Sequence, residues 1–149
     1  MIARAYTSCR YGQMHYLEGR PETATAPTLV LLHQNPSSSF EYAGLLAEMA
    51  KDRRVIALDT PGYGMSDAPP APPGMAGYAA AFADALDALA ITGPVDIYGF
   101  HTGTLLAAEL AIARPDLVGR VALSGIPLLP LDERAKHMHK ALNFPPIAN

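Results

Sequence analysis

The stretch that most constrains this 149-residue chain is residues 94–114, Pro-Val-Asp-Ile-Tyr-Gly-Phe-His-Thr-Gly-Thr-Leu-Leu-Ala-Ala-Glu-Leu-Ala-Ile-Ala-Arg. β-forming residues at 95–98 run into Gly99, and soon afterwards Gly103 opens a segment with Leu105, Leu106 and Leu110 at helical spacing. A strand must therefore become a buried helix within one tight turn, Gly-Phe-His-Thr-Gly. Glycine at both ends lets strand and helix approach more closely than a Cβ would allow. His101, between them, is expected in a strained backbone conformation with its side chain aimed out above the sheet. Histidine is among the few non-glycine residues enriched at positive φ, so the position tolerates it.

The rest of the chain supplies a sheet for that strand to join. Residues 2–9 and 11–18, flanking Gly12, carry β-branched and aromatic residues and read as an antiparallel hairpin at the sheet edge. Residues 28–32 (Thr-Leu-Val-Leu-Leu) and 55–58 (Val-Ile-Ala-Leu) are continuous apolar runs, the mark of strands covered on both faces. Between them a polar turn at 33–39 leads into a helix over about 40–49, with a serine cap and Leu45, Leu46 and Met49 inward. A second amphipathic helix is expected over 76–91, with Phe82, Leu86 and Leu89 inward and Asp84 and Asp87 turned away. Residues 121–124 form one more strand, and 131–149 mix a charged helix-like stretch with Phe-Pro-Pro. Strands alternating with helices from residue 28 onward give an α/β fold with a mostly parallel, doubly wound sheet.

Three turns at strand ends carry a resemblance. Gly-Phe-His-Thr-Gly at 99–103 resembles the nucleophile elbow of the α/β-hydrolase superfamily, usually G-x-S-x-G, with His101 standing where serine is usual. His-Gln-Asn-Pro at 33–36 resembles that superfamily's His-Gly-x-Pro turn, with Gln34 in place of the glycine. Asp-Thr-Pro-Gly-Tyr-Gly-Met-Ser at 59–66 resembles its D-x-P-G-x-G-x-S loop, which is structural there, so Asp59 is not read as catalytic. The resemblance implies the N-terminal half of an α/β-hydrolase fold: a single partial domain over 1–149, in which about 131–149 begins a cap. It further implies hydrolysis of a small ester-type or related carbonyl substrate. His101 would be the catalytic group, with the backbone N–H groups of Asn35 and Thr102 as an oxyanion hole and His33, Gly99 and Gly103 in support. In the superfamily an acid and a late histidine follow the nucleophile; Asp132 is an alternative acid here, while His137 and His139 lie two apart and fall on different faces of a helix.

A serine elbow needs a base to remove its proton, whereas a neutral imidazole already presents a lone pair. His101 is thus expected either to attack an activated ester or to act as general base on a water. The competing expectation is a non-catalytic, ligand-binding or self-associating protein that has lost its nucleophile. A sheet stopping at residues 121–124 would leave an unpaired edge, which invites a homo-oligomer. The net charge of −3 carries no basic excess for nucleic acid, and the apolar runs are too short to span a membrane, so a cytoplasmic protein acting on a small molecule is expected. Gly62-Tyr-Gly64 lacks the remaining glycine and the setting of a phosphate loop, so no cofactor is expected, and no metal constellation stands out. Cys9 is read as a small strand residue, and His15, among the strand-like residues of the hairpin, as a surface or satisfied core group.

Overall fold

The structure is a computed structural model that describes residues 2–127 and Glu133. Six strands form one mixed sheet: β1 (Ile2–Cys9), β2 (Gly12–Gly19), β3 (Leu29–Leu32), β4 (Val55–Leu58), β5 (Val95–Phe100) and β6 (Val118–Ser124). Their order across the sheet is β1-β2-β4-β3-β5-β6. β1 and β2 pair antiparallel, as do β2 and β4, while β4, β3, β5 and β6 run parallel. The expected hairpin and parallel sheet are therefore both present.

Helices cover both faces of this sheet: α1 (Ala43–Met49), α2 (Gly74–Ala88) and α3 (Thr102–Ala113). The alternation of side chains along each strand sorts the apolar residues into two cores. Val30, Leu32, Ile56 and Leu58 point to one face, where they meet Phe82 and Leu86 of α2 and Leu106 and Leu110 of α3. Leu29, Leu31, Val55 and Ala57 point to the other, against Leu46 of α1 and Tyr42. Every residue of β3 and β4 is buried, which explains why those segments are continuous apolar runs.

Several boundaries differ from the expectation, each for a local reason. The helix expected over 40–49 begins as a short 3-10 turn, Ser39–Tyr42, capped by the Ser38 hydroxyl, which accepts from the Phe40 N–H at 3.4 Å. That turn sets the helical phase so that Tyr42 and Leu46, four apart, form the buried stripe. Leu45, expected inward, is exposed. α2 ends at Ala88 because Ala90 takes a positive φ of 53°. β6 starts three residues early, at Val118, which pairs with Val95 across a register shift. The outer edge of β6 has no strand partner among the described residues, and Val121 and Leu123 are exposed on it. Among the described residues no helix is long and apolar enough to cross a membrane. The segment 131–149 read as the start of a cap, with Asp132, His137 and His139, lies outside the described residues apart from Glu133.

Candidate functional site

β5 lies between β3 and β6, and the chain leaves its carboxyl end through His101, at φ 49° and ψ −112°, before α3 begins. The backbone there is pinned on both sides. His101 N–H donates to the Ser124 carbonyl at 2.9 Å, and the His101 carbonyl accepts from the Thr104 N–H at 3.0 Å and the Thr104 hydroxyl at 2.6 Å. These bonds hold a residue in the left-handed half of backbone space, a strain of order 1–3 kcal/mol that the surroundings must over-determine. The ring is exposed, lies 6.5 Å from the Phe100 ring centroid and has no hydrogen-bond partner among the described residues.

The two glycines are required by close approach. A Cβ on Gly99 would collide with the Gly103 carbonyl, and a Cβ on Gly103 would collide with the Leu32 carbonyl, 3.0 Å also from the His33 carbonyl oxygen. The first turn of α3 therefore rests directly on the end of β3 and the start of the turn that follows it. This packing brings together two segments that the sequence separates widely. Thr102, the first residue of α3, has an N–H with no intrahelical acceptor. Asn35, two residues past His33, has an N–H with no acceptor among the described residues, and its side-chain Oδ1 is buried without a partner.

The turn after β3 is held from below. His33 is fully buried: its Nδ1–H donates to the Gln34 carbonyl at 2.7 Å and its Nε2 accepts the Thr60 N–H at 2.9 Å. A main-chain N–H can only donate, so Nε2 must be the unprotonated nitrogen and the ring is neutral. Burial pushes its pKa below the ordinary imidazole value, in keeping with that pattern. Asp59, 1% exposed, accepts from Ser39 N–H at 2.6 Å with Oδ1, and from Met65 N–H at 2.9 Å and the His15 ring at 2.8 Å with Oδ2. Its carboxylate is thus spent on holding three chain segments together. His15, expected as a surface or satisfied core group, is in the core with Nδ1 on Asp59, and its Nε2 has no partner among the described residues. Nothing in the spacing of residues 15 and 59 signalled that pair. Among the described residues, no group of three or more His, Cys, Asp or Glu side chains is placed to hold a metal ion.

Comparison with known proteins identifies this arrangement of strands and turns. The family model for the alpha/beta hydrolase fold matches residues 27–145. A haloalkane dehalogenase of Mesorhizobium japonicum is 33% identical over 143 residues, covering 89% of this chain and 44% of the dehalogenase. Among solved structures, naproxen esterase from Bacillus subtilis superposes with a TM-score of 0.77 at 28% identity, over 87% of this chain and 46% of the esterase. An epoxide hydrolase from an endophytic Streptomyces gives a TM-score of 0.76 at 27% identity, over 87% of this chain and 38% of that one. The chain thus spans less than half the length of these relatives. It belongs to the alpha/beta hydrolase fold family.

Proposed function

We propose that this chain carries the reacting end of a hydrolase for a small ester-type substrate, with the imidazole of His101 in the place of a serine hydroxyl. The observation that supports this most is the exposed His101 ring, held at positive φ at the end of β5 with no hydrogen-bond partner among the described residues. A carbonyl seated above the turn would meet the imidazole lone pair on one side. The N–H groups of Thr102 and Asn35 would donate hydrogen bonds to its oxygen as negative charge grows there. Preorganised donors of that kind contribute about 10²–10³-fold each to rate. In direct attack the ring nitrogen bonds to the carbonyl carbon, the alkoxide leaves and takes up the proton that the other nitrogen of the acylated ring gives up, and water then cleaves the acyl-imidazole. In general-base action the same lone pair takes a proton from water as the water attacks, and the imidazolium passes that proton to the alkoxide as the ester C–O bond breaks. Rapid quenching distinguishes the two, since only the first leaves an acylated His101. His33 and Asp59 are positioning residues for the turn that carries Asn35, and Gly99 and Gly103 allow the close packing.

The experiment is p-nitrophenyl acetate turnover by the wild-type chain and by His101→Ala, at matched concentration and pH. A loss of saturable turnover in the variant is expected. Equal rates at saturating substrate remove both chemical routes. A second reading, self-association without catalysis, is supported by the unpartnered outer edge of β6 with Val121 and Leu123 exposed. It expects a light-scattering mass above 15.8 kDa for folded protein, and a monomer at that mass removes it.

A further inference from the structure

The outer edge of β6 is regular over residues 120–124. At its start Gly119 is skipped by the register shift that pairs Val95 with Val118 and Asp96 with Arg120, and just past its end Gly125 takes a φ of 67°. Between them the strand pairs in unbroken parallel register with β5. The Ser124 carbonyl points inward, accepting from the His101 N–H at 2.9 Å. Main-chain groups alternate sides along a strand, so those of Val121 and Leu123 point outward, where no strand pairs with them among the described residues. Side chains alternate too. Val121 stands beside Ile97 and Leu123 beside Gly99 on the α3 face of the sheet, and both are exposed. Ala122, also exposed, stands beside Tyr98 on the α1 face.

This edge is complementary to itself. Antiparallel pairing about a two-fold axis sets outward-pointing residues opposite one another, which within the regular edge allows centres at residue 121, 122 or 123. Centred on 121, Leu123 faces Gly119 of the second copy, and the two Arg120 side chains become diagonal neighbours about 7–8 Å apart. Centred on 123, Val121 faces Gly125, whose positive φ has left the extended conformation. Centred on Ala122, Val121 of each copy faces Leu123 of the other, and each of these pairs exchanges two main-chain hydrogen bonds. Arg120 then faces Ser124, and the two arginines lie at opposite ends. This register alone closes the exposed apolar side chains on each other while keeping like charges apart. The opposite sheet edge, β1, carries Arg4 within the strand and the hydroxyls of Thr7 and Ser8 beyond it, which guard it against pairing. We propose that two copies of this chain join β6 to β6 antiparallel about a two-fold axis at Ala122, making one continuous sheet. The proposal rests on the self-association reading and supplies its partner and register. One strand edge is a small interface beside the roughly 1,200–2,000 Å² that stable complexes bury, so the dimer dissociates on dilution.

The test uses the whole 149-residue chain with Cys9, its only cysteine, replaced by serine. Light scattering over a dilution series should give a mass that rises from 15.8 kDa toward twice that value as concentration increases. In the same background, Ala122→Cys should form an intermolecular disulfide under mild oxidation about tenfold faster than Val121→Cys. Residues opposite each other at a non-hydrogen-bonded position have Cα atoms about 4.5 Å apart, within disulfide reach. The two copies of residue 121 would instead sit diagonally, beyond the limit of about 7 Å. Val121→Lys, checked as folded by circular dichroism, should weaken association about tenfold, since it sets a lysine against Leu123 of the second copy at two places. A mass of 15.8 kDa at every concentration overturns both this interface and the self-association reading. A dimer in which Val121→Cys cross-links as fast as Ala122→Cys, or in which Val121→Lys associates as its parent does, overturns the interface and leaves the reading standing. Species larger than a dimer overturn the two-fold arrangement in favour of head-to-tail joining of β6 to β1.

Discussion

Gly103→Ala tests whether the turn is built by close packing, as the geometry requires. The added Cβ would overlap the Leu32 carbonyl oxygen and stand 2.8 Å from the Leu32 carbonyl carbon and 3.0 Å from the His33 carbonyl oxygen. Carbon atoms at optimal contact sit about 3.5–4.0 Å apart. All three obstacles are backbone atoms of the central strand and its exit, so no flexible side-chain tip can swing aside. α3 must instead retreat from β3 by the better part of an ångström, loosening Leu106 and Leu110, which are at most 1% exposed. Overpacking of this kind costs about 1–3 kcal/mol, and the absence of any yielding group places it at the upper end. The helix propensity of alanine returns at most about 1 kcal/mol. A net loss of about 2 kcal/mol follows, a large share of the roughly 5–15 kcal/mol that holds a domain folded. Gly44→Ala is the control: it lies in α1, and no atom comes within 4 Å of its added Cβ. That variant should gain about 0.5–1 kcal/mol from reduced chain entropy. Urea unfolding followed by circular dichroism suits a chain with 0 tryptophans. At a slope of about 1–3 kcal/mol per molar urea, the two midpoints should separate by about 1 M or more, Gly103→Ala the lower. Coincident midpoints, or stabilisation by both substitutions, would refute the reasoning.

Burial keeps His33 neutral in the folded chain, so its contribution to stability is complete above the ordinary imidazole pKa of about 6.5 and is lost as pH falls below it. Between pH 6.5 and 5.5 the unfolding free energy read from urea curves should fall with a slope of up to about 1.4 kcal/mol per pH unit from this group, and His33→Gln should flatten that part of the profile. Phe82→Ala empties the centre of the α2–α3 core, where Phe82 is 0% exposed, and should cost about 3–5 kcal/mol by the same denaturation. Tyr42→Phe removes a buried hydroxyl that donates to the Leu32 carbonyl at 2.9 Å; a loss of about 1 kcal/mol is expected, and no loss would mean the hydroxyl finds nothing it needs there.

The fold was legible because its strands declare themselves twice. The run at 55–58 coincides with β4 and the run at 28–32 overshoots β3 by one residue, Thr28, since a strand buried on both faces tolerates only apolar side chains. Gly99 and Gly103 were legible for the same kind of reason, as each removes a Cβ that would strike backbone. Less legible was the phase of α1, because the 3-10 turn at its start advances by a different angle per residue than the helix it feeds. Leu45 and Leu46 are adjacent in sequence, and only the preceding turn decides which of them is covered. The supports of the site were invisible for another reason: Thr60 meets His33 across 27 residues and His15 meets Asp59 across 44. Local pattern fixes elements, while these bonds form only after the sheet has set its register.

The departure at residue 34 shows how those supports act. Where the superfamily's turn usually has glycine, this chain has Gln34, and glycine would be needed only if the backbone there required positive φ. Among the described residues, Ala90 and His101 are the non-glycine positions with positive φ, and Gln34 is not one of them. Its carbonyl accepts from His33 Nδ1 at 2.7 Å and its N–H donates to Glu41 Oε1 at 3.3 Å, so both main-chain groups are already engaged in an ordinary conformation. Restoring glycine would leave those bonds available but widen the conformational freedom of the unfolded chain. Gln34→Gly should therefore destabilise by about 0.5–1 kcal/mol in urea unfolding, not stabilise. If the turn also positions Asn35 for reaction, the same variant should lower kcat for ester turnover more than it changes KM. A Gln34→Gly chain that is more stable and at least as active would show that glutamine strains the turn, and would count against the hydrogen bonds assigned to it.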